Sequence, residues 1–519
     1  MKKAAGIVAA GHPVTARAAT EILRAGGNAF DAALAAMFAG CVAEPVLASL
    51  GGGGFLTART AGAKPLLYDF FAQTPHSRPA ESELDFYPIV ADFGTAQQEF
   101  HIGMGSIATP GAIKGAFAIH RDLCRMPLRE IIQPACEAAR SGVLLNSFQH
   151  YIAEIVSPII QSSPQALQLH ASSRKPGAIA ELDETVCNPA MADGFEILAL
   201  EGEELFYQGE MGRQLTSDCH AHGGCLTRTD LESYRVARRS PLTLNYHNTQ
   251  LFTNPPPAIG GILIAFTLAL LEQEKLGRYP VNSADHLGRI GHAMKLTQQL
   301  RNDRELGSSP ATNIEHEILS SEFIESYREV MRNHKGFSRG TTQISIADSE
   351  GNLASMTLSN GEGSGYVLPG CGIMLNNMLG EEDINPHGFN QWPLNRRIAS
   401  MMSPSLVITP DGDTIAVGSG GSNRIRSAIL QVLVNLIDFG MKIEQAVEQP
   451  RMHFESDLLN IEAGPSTHAI QALRKEFANI RCWPDKNLFF GGAHSVMRKR
   501  NGQLSGSGDS RRGGVCYRV

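Results

Sequence analysis

Two threonines follow a glycine at Gly340-Thr341-Thr342 and open the run TTQISIADSEGN. A β-branched pair suits a pleated strand, and that alone would account for it. The triplet also reads as a cleavage site. If the chain is cut between Gly340 and Thr341, an internal residue becomes an N-terminus and gains a nucleophile and a base together. A threonine hydroxyl attacks poorly unless a base lies within hydrogen-bond reach. An N-terminal amine, with a pKa of about 7.7–8.0, is partly neutral at physiological pH, whereas a lysine near ~10.4 would need heavy desolvation. The chemistry would be acyl transfer through a threonyl ester. Strand residue and nucleophile both stay open on these residues alone.

Other chemistries find less support. The nine cysteines include no C-x-x-C pair and no zinc spacing, so neither metal nor cofactor is expected. Cys41, Cys371 and Cys516 sit among apolar or glycine-rich neighbours and read as buried reduced thiols. The run GGGGF, Gly51 to Phe55, invites comparison with a phosphate loop. No Lys-Ser/Thr follows it, and the next element reads as a strand. Gly420-Gly421 reads as a strand-to-helix turn. A net charge of −7 without a Lys/Arg stripe excludes a nucleic-acid partner, and RKRNGQ at Arg498 reads as a solvated turn. The N-terminal apolar run is only about seven residues, short for a signal peptide. No stretch approaches the ~20 apolar residues of a membrane span, so no membrane partner and a cytoplasmic location are expected.

The elements that must position Thr341 follow from periodicity. Pro13 to Ala43 reads as two helices broken at Gly26-Gly27-Asn28, the second rich in alanine on several faces and so closely packed. LTART and PLLYDFF read as strands. Ser77 to Gly105 is polar and reads as an irregular surface excursion. AIKGAFAIHRDL and LREIIQPACEAARSG read as helices, the latter stopped by Gly142. PLTLNYHNTQLFTN reads as a hairpin and GGILIAFTLALLEQE as a buried helix. Charged helices over Ser283 to Asn333 lead to a polar connector, NHKGFSRG. Thr341 to Ser359 reads as a hairpin turning at Ser349-Glu350-Gly351-Asn352, and SLVITPDGDTIAV as another with Asp411-Gly412. RIRSAILQVLVNLIDFG is a helix, and short strands close the chain. At 55.9 kDa this is a layered α/β body with mainly antiparallel sheets.

The ordered blocks GGNAFDAALAAMFAGCVAEP, GGGGF, ATPGAIKGAFAIH, PACEAARSG, DLESYRVARRSPL, NPPPAIGG, TTQISIADSEGN, GIMLNNM, SMMSPSLVI and RRGG span nearly the whole chain. Together they resemble the γ-glutamyltranspeptidase family of N-terminal nucleophile hydrolases. The resemblance implies a four-layer αββα sandwich. It implies self-cleavage between Gly340 and Thr341 into a large subunit (1–340) and a small one (341–519), both forming one body. Thr341 would then be the nucleophile, with Thr357 and Ser359 as neighbouring hydroxyls, Ser359 replacing a threonine. Gly421 and Ser422 fall where two glycine amides form an oxyanion hole. Asn360 and Glu381 match residues that hold the substrate's α-amine, and Ser400 matches one serine of a carboxylate-binding pair. A homodimer of the processed heterodimer is compatible with the resemblance.

Three positions depart from the pattern. Phe71 stands where an arginine that grips the α-carboxylate is expected, Ala399 replaces the second serine, and Met378 replaces a glutamine. Arg396, Arg397 and Arg424 are candidates to restore the grip, Arg397 and Arg424 reading first as loop ties. The expected substrate is a small-molecule γ-glutamyl or related acyl amide, hydrolysed or transferred. A glutaryl or cephalosporin-type acylase is one alternative. A catalytically inactive binding protein of the same fold is another, though such a scaffold would have no need of Thr341, Asn360 or the glycine turns.

Overall fold

The computed structural model describes residues 4–92, 97–304, 306, 314–329, 341–385 and 388–519; Gly340 and the connector before it lie outside these. Thr342–Asp348 and Leu353–Ser359 form the expected hairpin and become the middle of a seven-stranded sheet. Its order is Val515–Arg518, Gly6–Ala10, Thr342–Asp348, Leu353–Ser359, Gly53–Arg59, Leu66–Phe70, Ala237–Arg239, antiparallel throughout. Every residue of the two central strands is buried, so both faces are covered. A second antiparallel sheet of six strands runs from Leu504–Ser507 through Ser495–Arg498, Thr414–Val417, Ser405–Ile408 and Thr249–Thr253 to Leu242–Tyr246. The sheets meet through Ile7, Ala9, Ala347, Leu406, Ala416 and Val496. Helices cover both outer faces, giving the αββα order.

Side-chain alternation explains the layering. Ile344, Ile346, Met356 and Leu358 point to a core shared with helix Ala29–Ala43. Ser345, Ser355 and Thr357 point toward the second sheet and find polar partners there or beside them. All fifteen residues of Ala29–Ala43 are buried, which is why alanine occupies every face: a larger side chain would hold neighbouring layers apart. Asn28 and Asp31 form its capping box. On the far side, helices Gly260–Leu271 and Arg424–Ile437 pack on the six-stranded sheet.

Two readings are corrected. The 77–105 excursion contains a paired hairpin, Tyr87–Asp92 with Gln97–Ile102, whose Phe100 and Ile102 are buried with Val46, Leu47 and Ile159. Its polar composition hid this because only a few side chains turn inward. LREIIQPACEAARSG is two helices, Leu128–Ile131 and Gln133–Ser141, since Pro134 cannot continue the hydrogen-bond ladder of the first.

Candidate active site

Thr341 sits immediately before strand Thr342–Asp348 and is 4% exposed. Continuing the strand register by one step sets it opposite Ser359, which pairs with Gly53, and the same step in the next pair of strands sets Gly53 opposite Phe71. Thr341, Ser359, Gly53 and Phe71 therefore form a row across four strands. Residues directly opposite in antiparallel strands share a face, and this one looks toward the second sheet. At ~4.8 Å per strand, Phe71 stands ~14 Å from Thr341. Gly53, without a side chain, leaves the floor between them low.

The turn after strand Thr414–Val417 crosses Thr341. A Cβ on Gly420 would lie 1.9 Å from the Thr341 carbonyl oxygen, so only glycine allows this approach. Gly421 has φ +123° and Ser422 φ +50°, after which helix Arg424–Ile437 begins. Backbone amides leading into a helix suit a developing oxyanion. None of the backbone bonds among the described residues uses the Gly421 N–H. The carbonyl of Thr341 also accepts from Arg512 Nη1 at 3.2 Å. Arg512 is buried; burial lowers its pKa to about 10, against the pull of Glu362, Asp509 and Glu44.

The remaining candidates divide between this row and its rim. Ser359 Oγ accepts from the Gly361 amide at 3.1 Å. Thr357 lies two pairs further along the hairpin, opposite Gln343, and its hydroxyl donates to Gln343 Oε1 at 2.5 Å; it reaches the neighbourhood of Thr341 through Gln343. Asn360 is fully buried, and neither atom of its side-chain amide has a hydrogen-bond partner among the described residues. An unsatisfied buried amide costs about 1–3 kcal/mol, so a ligand's polar group gains most there. Gly361, at φ +64°, brings this turn against Asn377 Oδ1 and Glu381 Oε1, where a Cβ would lie 2.1 and 2.4 Å away. Glu381 is 6% exposed. Ser400 Oγ accepts from the Met402 amide, and its carbonyl accepts from Ile259 and Gly260 at the entry to helix Gly260–Leu271.

The departing positions are also placed. Phe71 is buried and stacks on Phe55, with ring centroids 5.5 Å apart. Met378 is buried in the same apolar cluster. Arg397 is tied to Phe71 O, the Tyr234 hydroxyl, Arg235 O and Asp69, and lies over the Tyr234 ring. Arg424 donates to Phe489 O and lies over its ring. Arg396 is exposed. The sequence alone assigns no role to Arg512, Gln343 or Glu44, although RRGG, TTQISIADSEGN and CVAEP carry them. Among the described residues, no group of three His, Cys, Asp or Glu could hold a metal ion.

A family model described as gamma-glutamyltranspeptidase matches residues 15–519. The glutathione hydrolase proenzyme of Escherichia coli K12 is 27% identical, with 98% of this chain and 90% of that protein aligned. The acylase ACY 1 proenzyme of Pseudomonas sp. strain V22 is also 27% identical, over 99% of this chain and 92% of that one. Among solved structures, cephalosporin acylase from Bacillus halodurans superposes with a TM-score of 0.84 at 23% identity, covering 99% of this chain and 96% of the other.

Proposed function

The chain belongs to the gamma-glutamyltranspeptidase family, and from that premise we propose that it cuts itself before Thr341 and then works as an amidohydrolase or acyltransferase. The freed Thr341 amine takes the hydroxyl proton as Oγ1 attacks the amide carbonyl. The Gly421 and Ser422 amides stabilise the resulting oxyanion, the amine leaves with the proton, and water or a second amine then resolves the threonyl ester. The products of cleavage are a large subunit, 1–340, and a small one, 341–519. The observation that supports this reading is the close approach of Gly420 to the Thr341 carbonyl, which brings the Gly421–Ser422 turn beside the residue whose hydroxyl and freed amine would react. Thr341→Ala should leave one uncut, inactive chain on a denaturing gel. Thr341→Ser should cut slowly, because the hydroxyl survives without the methyl that restricts its rotamer. Cleavage or turnover in Thr341→Ala would reject the reading.

Within it, the acyl group is a γ-glutamyl or related acyl. Glu381 and Asn360 suit an α-ammonium, while Arg397 and Arg424 are engaged elsewhere and Phe71 offers no charge. A buried carboxylate without a partner costs several kcal/mol. Glutaryl amides carry that carboxylate too, so Phe71 disfavours them as well as γ-glutamyl amides. The useful comparison is among 4-aminobutyryl, γ-glutamyl and glutaryl anilides. The expected order of kcat/KM is 4-aminobutyryl first, γ-glutamyl second and glutaryl last; glutaryl in first place would favour a dicarboxylic acylase.

A further inference from the structure

Glu44 follows the buried helix Ala29–Ala43 and is 1% exposed. Its carboxylate accepts the Thr15 hydroxyl at 2.9 Å on one oxygen and the Thr342 hydroxyl at 2.8 Å on the other. Gly11 closes the pocket: a Cβ there would lie 2.7 Å from Glu44 Oε2 and 3.2 Å from Thr342 Oγ1. At the opposite end of the helix, the Ala29 amide donates to Asp348 Oδ2 at 3.0 Å. Asp348 is the last residue of the strand that Thr342 begins. Fifteen helical residues span ~22 Å and seven strand residues ~24 Å, so one helix is fastened to both ends of one strand. Arg512 grips the Thr341 carbonyl. The peptide joining Thr341 to Thr342 is thus held at its oxygen by a guanidinium and through the next side chain by a carboxylate.

We propose that Glu44 is a positioning residue for the reaction: acting through Thr342, it fixes the direction of the Thr341 hydroxyl and amine relative to the Gly421 and Ser422 amides. It touches no substrate. Thr342 faces the helix layer, opposite to Thr341, so the effect passes through the backbone between them. This rests on Thr341 being the nucleophile.

The test compares full-length Thr342→Val, Thr342→Ser, Glu44→Gln and the double variant Glu44→Gln/Thr342→Val, with Thr341→Ala as control. Self-cleavage rate, kcat, KM and Tm are measured for each. Misplacing a reacting group by about 1 Å costs on the order of 10²-fold, so Thr342→Val should lower kcat and cleavage rate by roughly 10- to 100-fold. KM should stay near that of the unmodified protein, and the rate losses should not track any fall in Tm across the variants. Thr342→Ser keeps the hydroxyl and should restore the rate. The double variant should be no slower than the slower single variant, because both act through one contact. Full kcat in Thr342→Val, failure of Thr342→Ser to restore it, multiplied losses in the double variant, or a loss that follows Tm would each overturn the inference. Activity in Thr341→Ala would instead remove the reading on which it rests.

Discussion

At Ser422 the backbone takes φ +50°, a left-handed conformation in which a side chain costs about 1 kcal/mol or more that glycine avoids. Ser422→Gly should therefore raise stability by about 1 kcal/mol, read as a higher Tm; a lower Tm would mean that the serine hydroxyl holds the turn. Gly420 allows no such exchange. A methyl there would meet the Thr341 oxygen at 1.9 Å, so Gly420→Ala should slow the proposed self-cleavage by roughly 10²-fold through displacement of Thr341. An unchanged rate would show that the turn does not set Thr341. Phe71 offers the converse experiment, a gain. A charge-assisted contact contributes about 1.5–3 kcal/mol, so Phe71→Arg should lower KM for γ-glutamyl donors by roughly tenfold or more while leaving 4-aminobutyryl donors no better bound. Equal improvement of both would point to a change in packing against Phe55 instead of a new carboxylate contact.

Among the elements, the central hairpin depends on one carboxylate. Asp348 accepts from the amides of Glu350, Gly351 and Asn352, from Asn352 Nδ2, and from Ala29 at the helix start. Asp348→Ala would leave several buried donors unmatched and should destabilise the protein by about 2–4 kcal/mol in denaturant unfolding. A loss under about 0.5 kcal/mol would mean that water replaces it freely. The hairpin was legible in the sequence because SEGN between alternating runs is local turn chemistry. So was the Leu242–Tyr246/Thr249–Thr253 hairpin, whose His247 and Asn248 both have positive φ. The Tyr87–Ile102 hairpin was not, because its inward residues find partners far away in sequence. Thr341 could be named as a candidate from the chemistry of an N-terminal threonine, but the ordered blocks were needed to favour it over a plain strand residue and to supply its companions. Glu44 could not: in CVAEP it reads as the polar end of an alanine-rich helix, and only the three-dimensional contact with Thr342 gives it a role.

For the molecule as a whole, acid should act on activity and on folding in different pH ranges. His12, His170, His286, His453 and His494 are buried, and burial lowers each pKa to about 4. An unfolded histidine titrates near ~6.5, so below that pH the unfolded chain binds more protons and stability falls progressively toward pH 4. Denaturant midpoints should be flat above pH 7 and decline below about 6.5; a flat profile down to pH 4 would mean that these histidines are protonated in the folded state. Activity should fail earlier, on an acidic limb near the ~7.7–8.0 of an N-terminal amine, while the fold is intact. The activity limb depends on that amine existing. The direct measurement is N-terminal sequencing of the smaller fragment of the purified, active protein, made without added protease. The predicted sequence is Thr-Thr-Gln, beginning at Thr341. A fragment beginning at any other residue, or full activity in a single uncut chain, would contradict the mechanism.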